Sequence, residues 1–127
     1  MSTPEPGRLI WAVIADPNGY AKPMPRPAVV LGTPPAERPD EPLAVVVCTT
    51  RDDLPMPADQ VALPWHPSGQ TRTKLRKPTF AVCSWLAEVA LGDIQQVGGI
   101  VPPEQLAEIV AKVRALHADG SPDADAP

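Results

Sequence analysis

Long apolar runs are missing from this sequence. The longest, residues 9–15, is far too short to cross a bilayer, and no basic-then-apolar opening resembles an export signal. A cytoplasmic protein without a membrane partner is expected. Cysteine is nearly absent: Cys48 and Cys83 are the only two, too few to build a zinc site. Both lie in apolar, strand-like runs, so buried reduced thiols are expected rather than a disulfide. Phe and Tyr occur once each beside three Trp. An excess of positive charge is lacking as well. Eleven basic against fifteen acidic residues leave a formal net charge of −4, which for the chain as a whole counts against a nucleic-acid partner. No residue pattern calls for a metal or a cofactor.

Proline is what the sequence has in abundance, nineteen in 127 residues. At that density helices are interrupted and the chain is divided into short pieces. With 43% hydrophobic residues, whole-chain disorder is excluded, and the length suits one domain with one core. Residues 8–15, RLIWAVIA, read as an apolar strand closed by the turn signal Asp16-Pro17-Asn18-Gly19. Residues 27–31, PAVVL, form a second strand opening on proline. Residues 32–42, with four prolines and three acids, must be a loop. The run LAVVVCT, residues 43–49, is the most β-prone stretch. Residues 60–63 give a short strand, and residues 79–89, TFAVCSWLAEV, a strand or two with a bend.

One helix is expected, after Pro102-Pro103, where proline suits the first turn. Glu104 and Glu108 toward its start, and Lys112 and Arg114 toward its end, match the macrodipole. Leu106, Ile109, Val110, Val113 and Leu116 make one apolar stripe for packing. The expected organisation is a frayed segment 1–6, a domain over residues 7–117, and a disordered acidic tail 118–127 carrying Asp119, Asp123 and Asp125. The fold class is mainly β: a small barrel of short, mostly antiparallel strands with a C-terminal helix across it. Charge is unevenly spread. Four of the eleven basic residues, Arg72, Lys74, Arg76 and Lys77, fall within six positions.

The order of these pieces resembles the MazF/PemK toxins. GRLIWAVIADPNG, then RPAVVL, then VVVCTT after a loop, match that family's opening. The likeness continues through Val61-Ala62-Leu63, the approach Lys74 to Thr79, and Trp85, and ends in GGIVPPEQLAEIVAKVRAL, covering about residues 7–116. The resemblance implies an SH3-like barrel, a homodimer, and a metal-independent endoribonuclease that cleaves single-stranded RNA through the RNA's own 2′-hydroxyl. It further implies growth inhibition restrained by a cognate antitoxin protein. Arg26 falls on the family's Arg before Pro, and Thr49 on the first Thr after the third strand; these two are the implied catalytic residues.

A guanidinium carries permanent charge and donors matched to phosphate geometry, so Arg26 suits the scissile phosphate and its transition state. It is a poor general base on pKa grounds. A Thr49 hydroxyl can donate to a phosphoryl oxygen. Lys22, Arg51, Arg72, Lys74, Arg76 and Lys77 are the candidate RNA-binding residues, the last four as a run that can follow a backbone. His66 reads as a surface histidine and His117 as a partner of the helix C-terminus. Two departures from the family pattern support an alternative, a binding module acting through protein contacts. The segment before Arg26-Pro27 lacks the family's Glu-Gln, and Val82-Cys83-Ser84 stand where some members carry ionisable acid–base groups. A gyrase-directed toxin is a third reading, with no supporting residue.

Overall fold

The computed structural model describes residues 4–14, 24–32, 41–50 and 58–118. The turn at residues 16–19, Lys22, Arg51 and the acidic residues of the tail lie outside them. Six strands, β1 (Arg8–Ile14), β2 (Met24–Gly32), β3 (Leu43–Thr49), β4 (Gln60–Ala62), β5 (Phe80–Val89) and β6 (Ile94–Ile100), precede one helix, α1 (Pro103–Ala118). The strands form a single antiparallel sheet in the order β4-β5-β3-β2-β1-β6. β1 meets β5 although two strands separate them in the sheet, so the sheet curls on itself as a barrel does. The mainly β architecture with a closing helix agrees with the expectation from sequence.

Strand alternation divides the core in two. Leu9, Val29, Val46, Cys48, Ala81 and Cys83 point to one face, where Ile109 of α1 joins them and Leu106 and Val113 pack alongside. Ile10, Ala12, Ala28, Val30, Val45 and Val47 point to the other, together with Trp85, Ala87 and Ile94. The unbroken apolar run of β3 thus serves both faces, as its composition requires. Lys112 fastens the helix to β4, donating to the carbonyls of Ala58 at 2.9 Å and Gln60 at 3.2 Å. His117, on the last turn, donates from Nε2 to the carbonyl of Cys83 at 3.2 Å.

Three departures from the expected elements have physical causes. β2 begins three residues earlier than the apolar run, at Met24, because β1 supplies a full ladder down to Ile14 opposite Met24. β5 is one strand whose pairing with β3 slips between Val46 and Cys48, so its bend is a bulge and not a break. β6 is a sixth strand beyond the five read from the sequence. Its glutamines and glycines lack β-propensity, and pairing with β1 holds it instead. Of the segment ahead of β1, Pro4 is buried and Glu5 pairs with Arg8. Gly7 takes φ +92°, a conformation open to glycine, and its N–H donates to the Val30 carbonyl at 2.7 Å.

Gly99 is a point of close approach. A Cβ there would overlap the carbonyl of Arg72 and the backbone of Thr73, and the neighbouring Ile100 N–H donates to that Arg72 carbonyl at 2.8 Å. Gly99→Ala is expected to lower unfolding free energy by about 1–3 kcal/mol, as overpacking does. Gly92→Ala, where an added Cβ meets nothing within 4 Å, is expected to change it by under about 0.5 kcal/mol. Urea unfolding midpoints of the two variants check both.

Cys48 and Cys83 are free and buried in one cluster, in agreement with the reduced thiols expected. Burial pushes the Cys48 thiol well above its ordinary range and raises that of Cys83. The folded state therefore keeps protons that the unfolded chain loses above pH about 8.5. Stability is fully present below that pH and is expected to fall above it, by up to about 1.4 kcal/mol per pH unit per thiol. Cys48→Ala is expected to make that fall shallower in urea melts between neutral and alkaline pH.

Candidate functional site

The segment Pro25-Arg26-Pro27 decides the local shape of the sheet. The Val30 carbonyl faces Gly7, ahead of β1. Along β2 the polar groups of even-numbered residues therefore point toward β1 and those of odd-numbered residues toward β3. Pro25 and Pro27 consequently supply no N–H on the β3 side. The β2–β3 ladder stops accordingly at Ala28 opposite Val47, while β2 stays paired with β1 down to Met24. β3 carries on against β5, with Cys48 opposite Ala81 and Thr49 opposite Phe80. The two strands thus lose their ladder beyond Ala28 and Val47. Arg26 and Thr49 each stand two residues past that last pair, on the same face.

Arg26 is half-buried there. Its Nε donates to the Ile14 carbonyl at a long 3.4 Å, and its guanidinium carbon lies 5.2 Å from the centre of the Trp85 ring. That contact is a cation–π interaction. Among the described residues no carboxylate pairs with Arg26. Thr49 is half-buried at the end of β3. A guanidinium and a hydroxyl on one face, where two strands have parted, together offer the donors that a phosphodiester accepts. Sequence reasoning noted Trp85 only as part of the family likeness. Its role beneath Arg26 depends on the β5 bulge, which no local signal announces.

A second feature lies on the other face of β1 and β2. Leu9, Trp11 and Pro27 of those strands, with Gln96 and Val97 of β6, line a pocket of about 490 Å³ closed by the chain from Thr73 to Thr79. This closing chain is braced from within. The buried Thr73 hydroxyl donates to the Pro64 carbonyl at 2.6 Å and accepts from Thr71 Oγ1 at 2.8 Å and from the Leu75 N–H at 3.3 Å. Leu75 is buried in the core. Lys74, Arg76 and Lys77 are exposed and line the pocket, and among the described residues no acidic one does. Lys74 sits at φ +61°, a left-handed conformation that side chains rarely adopt.

The structure therefore brings Arg26 and Thr49 to one face and Lys74, Arg76 and Lys77 to the opposite one. Arg72 is exposed but outside the pocket wall, its backbone held by β6. His66 is exposed and bonded within its own loop, to Ser68. Ser84 pairs with Asp59 at 2.5 Å, and the Cys83 thiol is buried, which raises its pKa. Val82-Cys83-Ser84 thus offer no ready acid–base group. Among the described residues no cluster of His, Cys, Asp or Glu is arranged to hold a metal ion. No described helix is long and apolar enough to cross a membrane.

No family model and no curated protein matches the sequence. Solved structures do match the fold. MazF from Deinococcus radiodurans superposes with a TM-score of 0.67 at 19% identity, over 91% of this chain and 97% of that one. An endoribonuclease from a mycobacterial species, solved in complex with its cognate antitoxin, gives 0.64 at 14% identity over 90% and 94%. The Mycobacterium tuberculosis toxin MazF-mt6 gives 0.58 at 16% identity over 84% and 94%. The chain has the fold of the MazF toxins.

Lys74 strain is open to measurement. Lys74→Gly is expected to raise unfolding free energy by a few tenths to about 1 kcal/mol, because relief of the left-handed penalty exceeds glycine's entropic cost. Lys74→Val is expected to lower it. Thermal melts of the pair report the sign.

Proposed function

We propose that this chain is the toxin of a toxin–antitoxin pair, acting as an endoribonuclease on single-stranded RNA. The observation that carries the reading is the placement of Arg26 and Thr49 on one face where β2 and β3 lose their ladder, in a chain with the MazF fold. In the proposed reaction the RNA 2′-oxygen attacks the adjacent phosphorus. The new O2′–P bond forms as the P–O5′ bond breaks, the hydroxyl proton leaves to a base, and O5′ takes up a proton. A 2′,3′-cyclic phosphate and a 5′-hydroxyl result, and no metal is needed. Arg26 stabilises the charge gathering on the phosphoryl oxygens, while Thr49 donates a neutral hydrogen bond to them. Trp85 holds the guanidinium by a cation–π contact, and among the described residues no carboxylate pairs with it. Lys22 and Arg51 belong to the same reading as phosphate contacts. A homodimer in the cytoplasm, inhibiting growth until a cognate antitoxin binds, completes it.

One observation favours the second reading, a binding module without cleavage. The Val82-Cys83-Ser84 stretch carries no ionisable group free to act, since the Cys83 thiol is buried and pushed up in pKa. Purified protein incubated with a long single-stranded RNA in the presence of EDTA separates the two. Cleavage is expected for the wild type. Arg26→Ala is expected to reduce it at least about 100-fold, the typical loss for a transition-state donor, with stability changed by about 1 kcal/mol or less. Intact RNA with the wild type, at protein concentrations that bind it, would establish the binding module instead.

A further inference from the structure

The pocket on the face opposite Arg26 has a purpose of its own. We propose that it is a nucleotide subsite: Trp11 stacks one base of the RNA strand, the Gln96 carboxamide meets that base's polar edge, and Lys74, Arg76 and Lys77 hold the adjoining phosphates. The inference rests on the RNA reading above and adds where a nucleotide away from the scissile bond is recognised.

Several observations converge on it. The volume, about 490 Å³, falls in the range of small-molecule sites, roughly 300–1,000 Å³. Among the described residues its wall carries three cations and no acid, in a chain whose net charge is −4. A solvated loop would not need the bracing this one has. Thr73 and Leu75 turn inward and are fixed by hydrogen bonds and core packing, Gly99 lets β6 press on the backbone behind them, and Lys74 is held in a strained conformation. Strain maintained by surrounding structure at an exposed cation is a mark of a site whose geometry matters. An acidic peptide would satisfy the cations but has no use for an indole. A base stacked on Trp11, with its phosphates at the rim, uses both. Gln96 offers a donor and an acceptor, enough to prefer some bases over others.

Arg26 and this pocket lie back to back across β1 and β2. A nucleotide here is therefore not one flanking the cleaved bond. The subsite selects and anchors the strand, and its loss acts on binding and not on the chemical step.

The test titrates the full-length protein with the four nucleoside 5′-monophosphates, ribose 5-phosphate, inorganic phosphate and a short acidic peptide. Tryptophan indole and glutamine side-chain NMR signals are followed, with the Trp11 signal assigned from its absence in Trp11→Phe. The nucleotides are expected to shift the Trp11 and Gln96 signals, and to bind at least about five-fold more tightly than ribose 5-phosphate. Equal affinity and equal shifts with ribose 5-phosphate or phosphate would reduce the pocket to an anion patch and overturn the proposal. Tighter binding of the acidic peptide would overturn it in favour of a protein partner.

With RNA, Trp11→Leu is expected to raise KM at least about five-fold with kcat unchanged, and Trp11→Phe to restore most of the loss. Should Trp11→Leu fail to fold, Gln96→Ala combined with Lys77→Gln is expected to weaken nucleotide and RNA binding in the same sense. Wild-type KM in the folded variants would overturn the subsite. The nucleotide titration needs no cleavage, so failure of the ribonuclease reading alone leaves its result intact.

Discussion

Two missing N–H groups organise this molecule. Pro25 and Pro27 fall on the same parity of β2, and their bare nitrogens face β3. A strand with one such gap closes over it by a bulge. Two in succession end the ladder, and β3 turns to β5 for its remaining partners. The end of the sheet then opens around the residue between the prolines, which is Arg26. Backbone chemistry that is costly in a central strand thus leaves Arg26 at an unpaired end of the β2–β3 ladder, in contact with the Trp85 ring. A carboxylate in Trp85's place would fix the guanidinium more strongly and occupy the edge that a phosphate needs.

A second constraint acts at Gly99. The absence of a side chain there lets the edge strand β6 lie against the backbone of Arg72 and Thr73. The same contact gives Ile100 a hydrogen bond to the Arg72 carbonyl. Thr73 transmits the constraint inward by spending its single proton on Pro64, which leaves its lone pairs for Thr71 and Leu75. Inward-facing Thr73 and Leu75 alternate with outward-facing Arg72, Lys74 and Arg76. A run of charges that composition alone describes as a solvated loop becomes the fixed wall of a pocket.

What could be read from sequence follows the range over which each cause acts. β1 and β3 announce themselves because β-branched and apolar residues act locally, within the strand. The helix does so through its proline start and one apolar stripe. Arg26 and Thr49 could be nominated from the family likeness. That they share a face depends on the β2–β3 register, counted through Ala28 and Val47, which no short motif encodes. β6 escapes because its glycines and glutamines are strand-like only in the company of β1 and the chain at Arg72. The pocket escapes for the same reason, since Trp11, Lys74 and Gln96 come from distant parts of the chain and meet only when the sheet curls.

Net charge describes the whole chain and not any one of its surfaces. At physiological ionic strength the field of an exposed charge fades over about 8 Å. A passing polyanion therefore responds to the patch it touches and not to the sum over the molecule. Glu104 and Glu108 belong to the helix, and Glu5 is engaged by Arg8. None of these lines the pocket, and none is paired with Arg26. The acidic balance of the chain is thus compatible with two positively charged surfaces, one on each face of β1 and β2. Under the proposed RNA reading, excess acid elsewhere opposes unspecific attachment, and binding then rests on shape and stacking at those surfaces more than on bulk attraction.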